Sequence, residues 1–309
     1  MSVTVLGIDT SNYTTSAAVC VDGVITENVK LPLPVKPGEV GLRQNDAVFA
    51  HTVNLPKVFE MIKTDLSGIS AVGYSDRPRN TEGSYMPCFL CGCAAAYAAA
   101  KTAGARIYKN SHQEGHIKAA VYSSGMPAAD EFYAYHLSGG TLELLDVRVS
   151  GSGFVCDIAG KTLDVTAGQM IDRTGVMLGL PFPCGPHVDR LARGNTEKLP
   201  EIRISVKGTD CNLSGLQNKA EKLFKENGTK ELVCAYVLET IKRTVDKMTE
   251  NALEIKRLPI LFSGGVASNS LLRDHFGKKY GAYFAEPVYS ADNAAGTALI
   301  TYDRYVNGE

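Results

Sequence analysis

Apolar and polar positions along the chain follow two alternating rhythms. Val3 to Leu6 and Ser16-Ala-Ala-Val-Cys-Val21 are short apolar runs of strand length, with Gly7-Ile-Asp-Thr-Ser11 and the Asp22-Gly23 turn between and after them. That spacing predicts strand, polar loop, strand and hairpin turn before Val24-Ile25. From Asp46, the positions Ala47, Val48, Val53, Leu55, Val58 and Met61 recur at helical spacing, with Pro56 as a kink point. Ile69 to Tyr74 predicts a strand, Cys88 to Ala100 a helix, and Ala105 to Tyr108 another strand. Strands return at Phe132 to Leu137 and Thr141 to Val149, and helices from Thr166 to Leu178 and at Val188 to Ala192. Val233, Val237, Ile241, Val245 and Met248 set one face of a long helix from Glu231 to about Ile255. Ile260-Leu-Phe is a buried strand that runs into Gly264-Gly265, a helix carrying Leu271 and Leu272 follows, and Ser290 opens the last helix. Strands alternating with helices in this way predict an α/β fold.

Between these elements lie the breakers. Leu31-Pro-Leu-Pro-Val-Lys-Pro37 is a proline-rich connector, Ser75 to Asn80 is a loop with Arg77 and Arg79, and Lys219 to Lys230 is polar and Lys-rich. Arg43 and His51 fall near a helix start and are read as surface residues. The device of strand, small-residue turn and strand occurs twice, at Gly7 to Ser11 and at Ser138-Gly-Gly140. Backbone N–H groups in such turns can hold a phosphate. Two copies point to a duplicated fold with a phosphate hairpin in each half, around one nucleotide.

The chain has 309 residues, 44% of them hydrophobic, which suits one large or two medium domains. The net charge of −1, from 32 basic and 33 acidic residues, excludes a uniformly basic surface but not a local patch for nucleic acid. No apolar run approaches the about 20 residues of a membrane span, and the first residues lack the pattern of a signal peptide. With eight cysteines and no such signal, a reducing, cytoplasmic setting is expected.

The chemistry centres on Asn110-Ser-His-Gln-Glu-Gly-His116. His112 and His116, four apart, share one face of a helix and suit a metal that takes two nitrogen ligands from one element. Asp292, at a helix start, is either a cap or a third ligand; two histidines and a carboxylate suit Fe or Zn. Asp9 could hold a metal or water beside a phosphate, although on its own segment a solvent-facing hairpin residue is the simpler expectation. Cys88, Cys91 and Cys93 could ligate a metal, but no fourth ligand lies nearby, and packing is the expected role. Gly264 and Gly265 let a flat ligand or phosphate approach the backbone, and Asn269 can donate and accept hydrogen bonds.

Taken in order, Gly7-Ile-Asp-Thr-Ser11, His112-Gln-Glu-Gly-His116, Leu137-Ser-Gly-Gly140, Asp172, Pro183-Cys-Gly-Pro186, Ser214-Gly-Leu216, Gly264-Gly-Val-Ala-Ser-Asn269 and Asp292-Asn293 resemble the tRNA adenosine threonylcarbamoyltransferase (TsaD) family. The resemblance implies the two-lobed actin/sugar-kinase/Hsp70-like fold with duplicated RNase H-like halves. The lobes would be residues 1–118 with 290–309, and 119–289. It implies one divalent metal on His112, His116 and Asp292. Leu137, Ser138, Gly139, Gly140, Asp172, Gly185, Asp189, Gly264, Gly265 and Asn269 would bind an ATP- or AMP-type nucleotide or acyl-adenylate. Asp9 and Ser11 become candidates for catalysis. The implied reaction transfers threonylcarbamoyl from its adenylate to tRNA adenosine, with protein partners of a threonylcarbamoyl-transfer complex.

Departures fall at Asn12-Tyr-Thr-Thr15, where the family has Cys-Asp-Glu-Thr, and at Thr141, Arg77-Pro-Arg79, Cys184 and Arg43-Gln-Asn-Asp46. They point to a divergent paralogue and leave room for a different acceptor. A non-catalytic nucleotide-binding partner is the competing reading. A metallopeptidase is a weaker one, since a zincin places Glu directly after the first His and here Gln113 stands there.

Overall fold

The computed structural model describes residues 2–11, 13–34, 42–226 and 228–309. In chain order the elements begin β1 (Thr4–Ser11), β2 (Thr14–Val21), β3 (Val24–Pro32), α1 (Gln44–Met61), β4 (Ala71–Arg77) and α2 (Phe89–Ala103). They continue with β5 (Arg106–Ser111), α3 (His112–Ser124), β6 (Glu131–Leu137), β7 (Leu142–Ser150), β8 (Gly153–Lys161), α4 (Ala167–Met177) and α5 (Gly185–Arg193). The rest are β9 (Ser205–Lys207), β10 (Asp210–Asn212), α6 (Ser214–Lys225), α7 (Lys230–Ile255), β11 (Ile260–Ser263), α8 (Ser270–Tyr280), β12 (Tyr283–Phe284), α9 (Pro287–Ser290) and α10 (Ala295–Val306).

The chain divides into two compact units. The first comprises residues 1–123, 149–155 and 291–309; the second comprises 124–148 and 156–290. The first unit is built on a sheet of order β3-β2-β1-β4-β5, and the second on β8-β7-β6-β11-β12. These are the same topology. β1 pairs antiparallel with β2 and parallel with β4, and β6 pairs antiparallel with β7 and parallel with β11. The fold is therefore α/β and duplicated.

In the first unit, Leu6, Ile8, Val19 and Val72 face an apolar layer with Val58, Ala96 and Ala100 from α1 and α2. The opposite face is covered by α10 at very short range. A Cβ on Gly7 would lie 2.6 Å from the Ala298 nitrogen, and one on Gly73 would lie 1.8 Å from Thr301 Oγ1. Only glycine leaves room for that approach. The β2–β3 ladder contains a bulge: Cys20 opposes Ile25 but Val19 opposes Glu27, leaving Thr26 over. In the second unit the sheet is packed through aromatics, with Tyr135 and Phe284 each stacked on Phe262.

Several expectations change. β4 continues through Ser75 and Asp76 to Arg77, so the loop begins at Pro78. His51 is fully buried on α1, with Nδ1 2.8 Å from Thr15 Oγ1, and is no surface residue. Asp9 is 1% exposed rather than solvent-facing. The Lys-rich stretch starts inside α6, whose first N–H groups at Leu213 and Ser214 donate to Asp164. Leu31 and Pro32 end the edge strand β3, which tolerates proline. Pro37 of the connector and Asn12 lie outside the described residues. β8, β9, β10 and β12 carry no clear sequence signal and were not expected.

Candidate functional site

α3 starts at its first histidine because of a capping box. Ser111 N–H donates to Glu114 Oε2 at 2.8 Å, and Glu114 N–H donates to Ser111 Oγ at 3.2 Å. Glu114 is buried, and its other oxygen takes the Phe154 N–H at 3.4 Å and faces Arg304 at 3.8 Å. The helix start is thus locked with His112 in its first turn and His116 one turn on. Their rings meet edge to face, centroids 4.4 Å apart.

Asp292 completes the cluster from just before α10. Its Oδ1 lies 3.0 Å from His116 Nε2 and 3.6 Å from His112 Nε2. It does not cap α10, whose N-cap is Ala294 with no side-chain bond; Asn293 Oδ1, just before it, accepts the Ala295 N–H at 3.0 Å. One ligand atom from each of His112, His116 and Asp292 lies within 4.8 Å of the others, the one such group among the described residues. No cysteine joins it; all eight are free thiols, and Cys88 packs in a small apolar cluster with Phe89 and Leu33.

Asp9 stands behind the first histidine. Its Oδ2 accepts from His112 Nδ1 at 2.9 Å and from Ser75 Oγ, and its Oδ1 accepts the Ser11 N–H at 3.0 Å. A carboxylate only accepts, so Nδ1 carries the proton and Nε2 is turned toward Asp292. This is the arrangement of a metal-ligating histidine oriented by a carboxylate. Two Nε2 atoms, one carboxylate oxygen and this rear support fit a divalent metal. Burial alone would push the His112 imidazole down, but Asp9 and Asp292 hold it up, at about 10. Burial likewise opposes ionisation of Asp292 and Asp9, yet the histidines keep Asp292 well below the usual carboxylate range, and His112 with Ser75 lowers Asp9. Ser11 Oγ is buried without a hydrogen-bond partner among the described residues.

The second unit gathers the other candidates. Leu137 ends β6, and the Ser138–Thr141 turn is closed by Ser138 N–H to the Thr141 carbonyl at 2.8 Å. Thr166, which caps α4, donates to the Gly139 carbonyl at 2.8 Å. Gly264 lies against Leu137, where a Cβ would fall 2.2 Å from its carbonyl oxygen. By contrast, a Cβ on Gly139, Gly140, Gly185 or Gly265 would meet nothing within 4 Å. Those glycines leave backbone open to a ligand. Asp172 on α4 accepts the Cys184 N–H at 3.1 Å, just before Gly185 opens α5; burial raises its carboxyl despite that bond.

Asn269 is more occupied than its sequence suggests. Its Oδ1 caps α8 through Leu271 and Leu272 N–H, and its Nδ2 donates to Asp189 Oδ1 at 2.8 Å. One N–H remains for a ligand. Asp189 is further held by Arg193 at 2.8 Å, so it acts on Asn269 first.

The sequence model of the tRNA N6-adenosine threonylcarbamoyltransferase family, TsaD, matches residues 44–299. The chain belongs to the TsaD family. Membership places it among transferases. A curated TsaD-family relative from Carboxydothermus hydrogenoformans, named tRNA N6-adenosine threonylcarbamoyltransferase, is 34% identical over 64% of this chain and 61% of its own length. A relative of the same name from Methanopyrus kandleri is 31% identical over 89% of this chain and 79% of its own. Among solved structures, a ROK family glucokinase from Streptomyces griseus matches with a TM-score of 0.53 at 12% identity, over 97% of this chain and 99% of that one. That likeness carries the fold, the actin/sugar-kinase/Hsp70-like ATPase architecture. No described helix is long and apolar enough to cross a membrane.

Proposed function

We propose that this TsaD-family chain transfers a threonylcarbamoyl group from its adenylate to an adenosine of tRNA. The observation that carries the reading is the convergence of His112, His116 and Asp292, with Asp9 behind His112, in a chain of this family. These three would hold zinc or iron. When bound, the metal polarises the carbonyl of the transferred group. Asp9 already accepts from Ser11, Ser75 and His112, so it orients the His112 ring rather than serving as a base. In the second unit, the Gly139-Gly140 turn, with open space where side chains would stand, suits the phosphate, Asp172 suits the ribose hydroxyls, and Asn269 has one N–H to offer. The adenosine amine attacks the carbamoyl carbon, that carbon's bond to the phosphate oxygen breaks, AMP leaves, and the proton displaced from the amine passes to the departing phosphate or to water.

Glu114 speaks against a peptidase. Both of its oxygens serve the capping box and Phe154, which leaves none to activate water. A different acceptor is favoured by one observation: Arg77 is clamped bidentate on Asp76, and Pro78 accepts the Gln113 N–H at 3.0 Å. This fixes the charged end of β4 and the start of its loop beside α3, where the family has Gly-Pro-Gly-Leu.

The test is AMP release from threonylcarbamoyl-adenylate by the zinc- or iron-loaded protein with tRNA, alone and with protein partners of a threonylcarbamoyl-transfer complex. Release that disappears in His112→Ala supports transfer. Release with another amine acceptor but not tRNA moves the reading to that acceptor, and no release with any acceptor leaves a nucleotide-binding partner.

A further inference from the structure

We propose that Lys30 is a specificity-determining residue of the first unit, whose ammonium receives anionic oxygens of the substrate beside His112, His116 and Asp292. For the substrate's identity, an acyl-adenylate, this rests on the transferase reading above; the anion site itself does not.

The placement comes from the β2–β3 bulge. Counted from the Asp22-Gly23 turn without a bulge, Ser16 would oppose Val29. Because Thr26 is left over, Ser16 opposes Lys30 instead, and Ser16 in turn opposes Asp9. Residues directly opposite in an antiparallel pair share a face, and a one-residue slip moves every following side chain to the other one. The bulge therefore puts Lys30 and Asn28 on the face of Asp9, while Val29 and Leu31 join the apolar layer under α1 and α2. Bulges beside functional sites commonly re-aim a side chain in this way.

Lys30 ends a polar row that crosses the whole sheet: Lys30, Ser16, Asp9, then Ser75 bonded to Asp9, and Asn110 opposite Ser75. It is the one cation of that row. The register puts Lys30 on the face of Asp9; its ammonium feels the charge of Asp292, and partial burial pushes it below its ordinary value. Asp9 and Asp292 already put two carboxylates here. A substrate that brings a phosphate and a carboxylate needs a compensating cation besides the metal, and a half-buried ammonium makes strong charge-assisted hydrogen bonds to either.

The test uses the zinc-loaded full chain and calorimetric titration with inorganic phosphate, AMP and N-carbamoylthreonine. Lys30→Met is expected to weaken binding of at least one probe about tenfold, and Lys30→Arg to stay near wild type. Loss confined to phosphate and AMP identifies the phosphate as the group held; loss confined to N-carbamoylthreonine identifies the carboxylate. Zinc stoichiometry and melting temperature should not change, and the KM for the adenylate should rise with little change in kcat. The proposal is overturned if Lys30→Met binds all probes as wild type does, if the wild type binds none, or if the variant loses zinc or its fold. If tRNA transfer fails while Lys30-dependent anion binding persists, the transferase reading falls and this site stands.

Discussion

The two sheets share one strand order and hold their candidate groups differently. In the first unit, α10 presses on glycines, and the sheet face beneath it carries a buried polar row. Thr297 completes that row, lying 3.2 Å from Ser75 Oγ and 3.3 Å from Asn110 Nδ2. In the second unit, Tyr135, Phe262, Phe276 and Phe284 pack with ring centroids 4.8–4.9 Å apart on the sheet face under α7 and α8, the counterpart of the first unit's apolar layer under α1 and α2. Polar candidates there sit on loops and helices instead. A helix that approaches within backbone distance can satisfy hydroxyls and carboxylates in mid-sheet; an aromatic layer cannot, because an unpaired polar group inside it would be costly.

The contrast can be broken most severely at the helix contact. A Cβ on Gly296 would lie 1.8 Å from the Gly115 carbonyl oxygen, so Gly296→Ala should cost more than about 4 kcal/mol and remove zinc binding, as read by melting and metal analysis. Phe262→Ala should cost about 3–5 kcal/mol yet leave zinc stoichiometry intact in whatever fraction stays folded. If it abolishes zinc binding in folded protein, the two interiors are not independent.

Smaller effects sharpen the first unit's side. Asp9→Asn keeps the size of the group but loses the charge behind His112, and zinc affinity should fall about 10–100-fold in a competition assay. In metal-free protein the raised His112 stabilises the fold fully below its unfolded value of about 6.5, and that contribution is lost as pH rises through about 10. Zinc must displace this proton, so its affinity should climb from neutral pH toward 10; a flat profile would contradict the pairing of His112 with Asp9 and Asp292. Least of all, Glu114→Ala should cost about 1 kcal/mol by denaturant unfolding, while Glu114→Gln, which can still complete a capping box, should cost less.

Much of this was legible beforehand. The long helix α7 was visible from five apolar positions, and the histidine pair from its spacing alone. Ser111-His-Gln-Glu114 also carries the signature of a capping box. What stayed hidden depends on register and distance along the chain. Asp9 and Asp292 are 283 positions apart (292 minus 9) yet flank the same imidazole. His51 gave no sign of burial, since its partner Thr15 lies across a loop and a connector. Lys30 could not be assigned a face without knowing that the ladder slips.

That slip gives β3 a parity. Removing Thr26 itself would leave Lys30 opposite Ser16, but adding one residue between it and Glu27 would carry Asn28 into the apolar layer and bring Val29 and Leu31 up beside Asp9. It would also turn Glu27 away from the Lys63 and Thr64 N–H groups that it now accepts at 2.8 Å. Changes of two residues would restore the pattern. Insertions between the bulge and Lys30 are therefore tolerable in even steps only, although the strand's end leads into a connector where length would otherwise matter little.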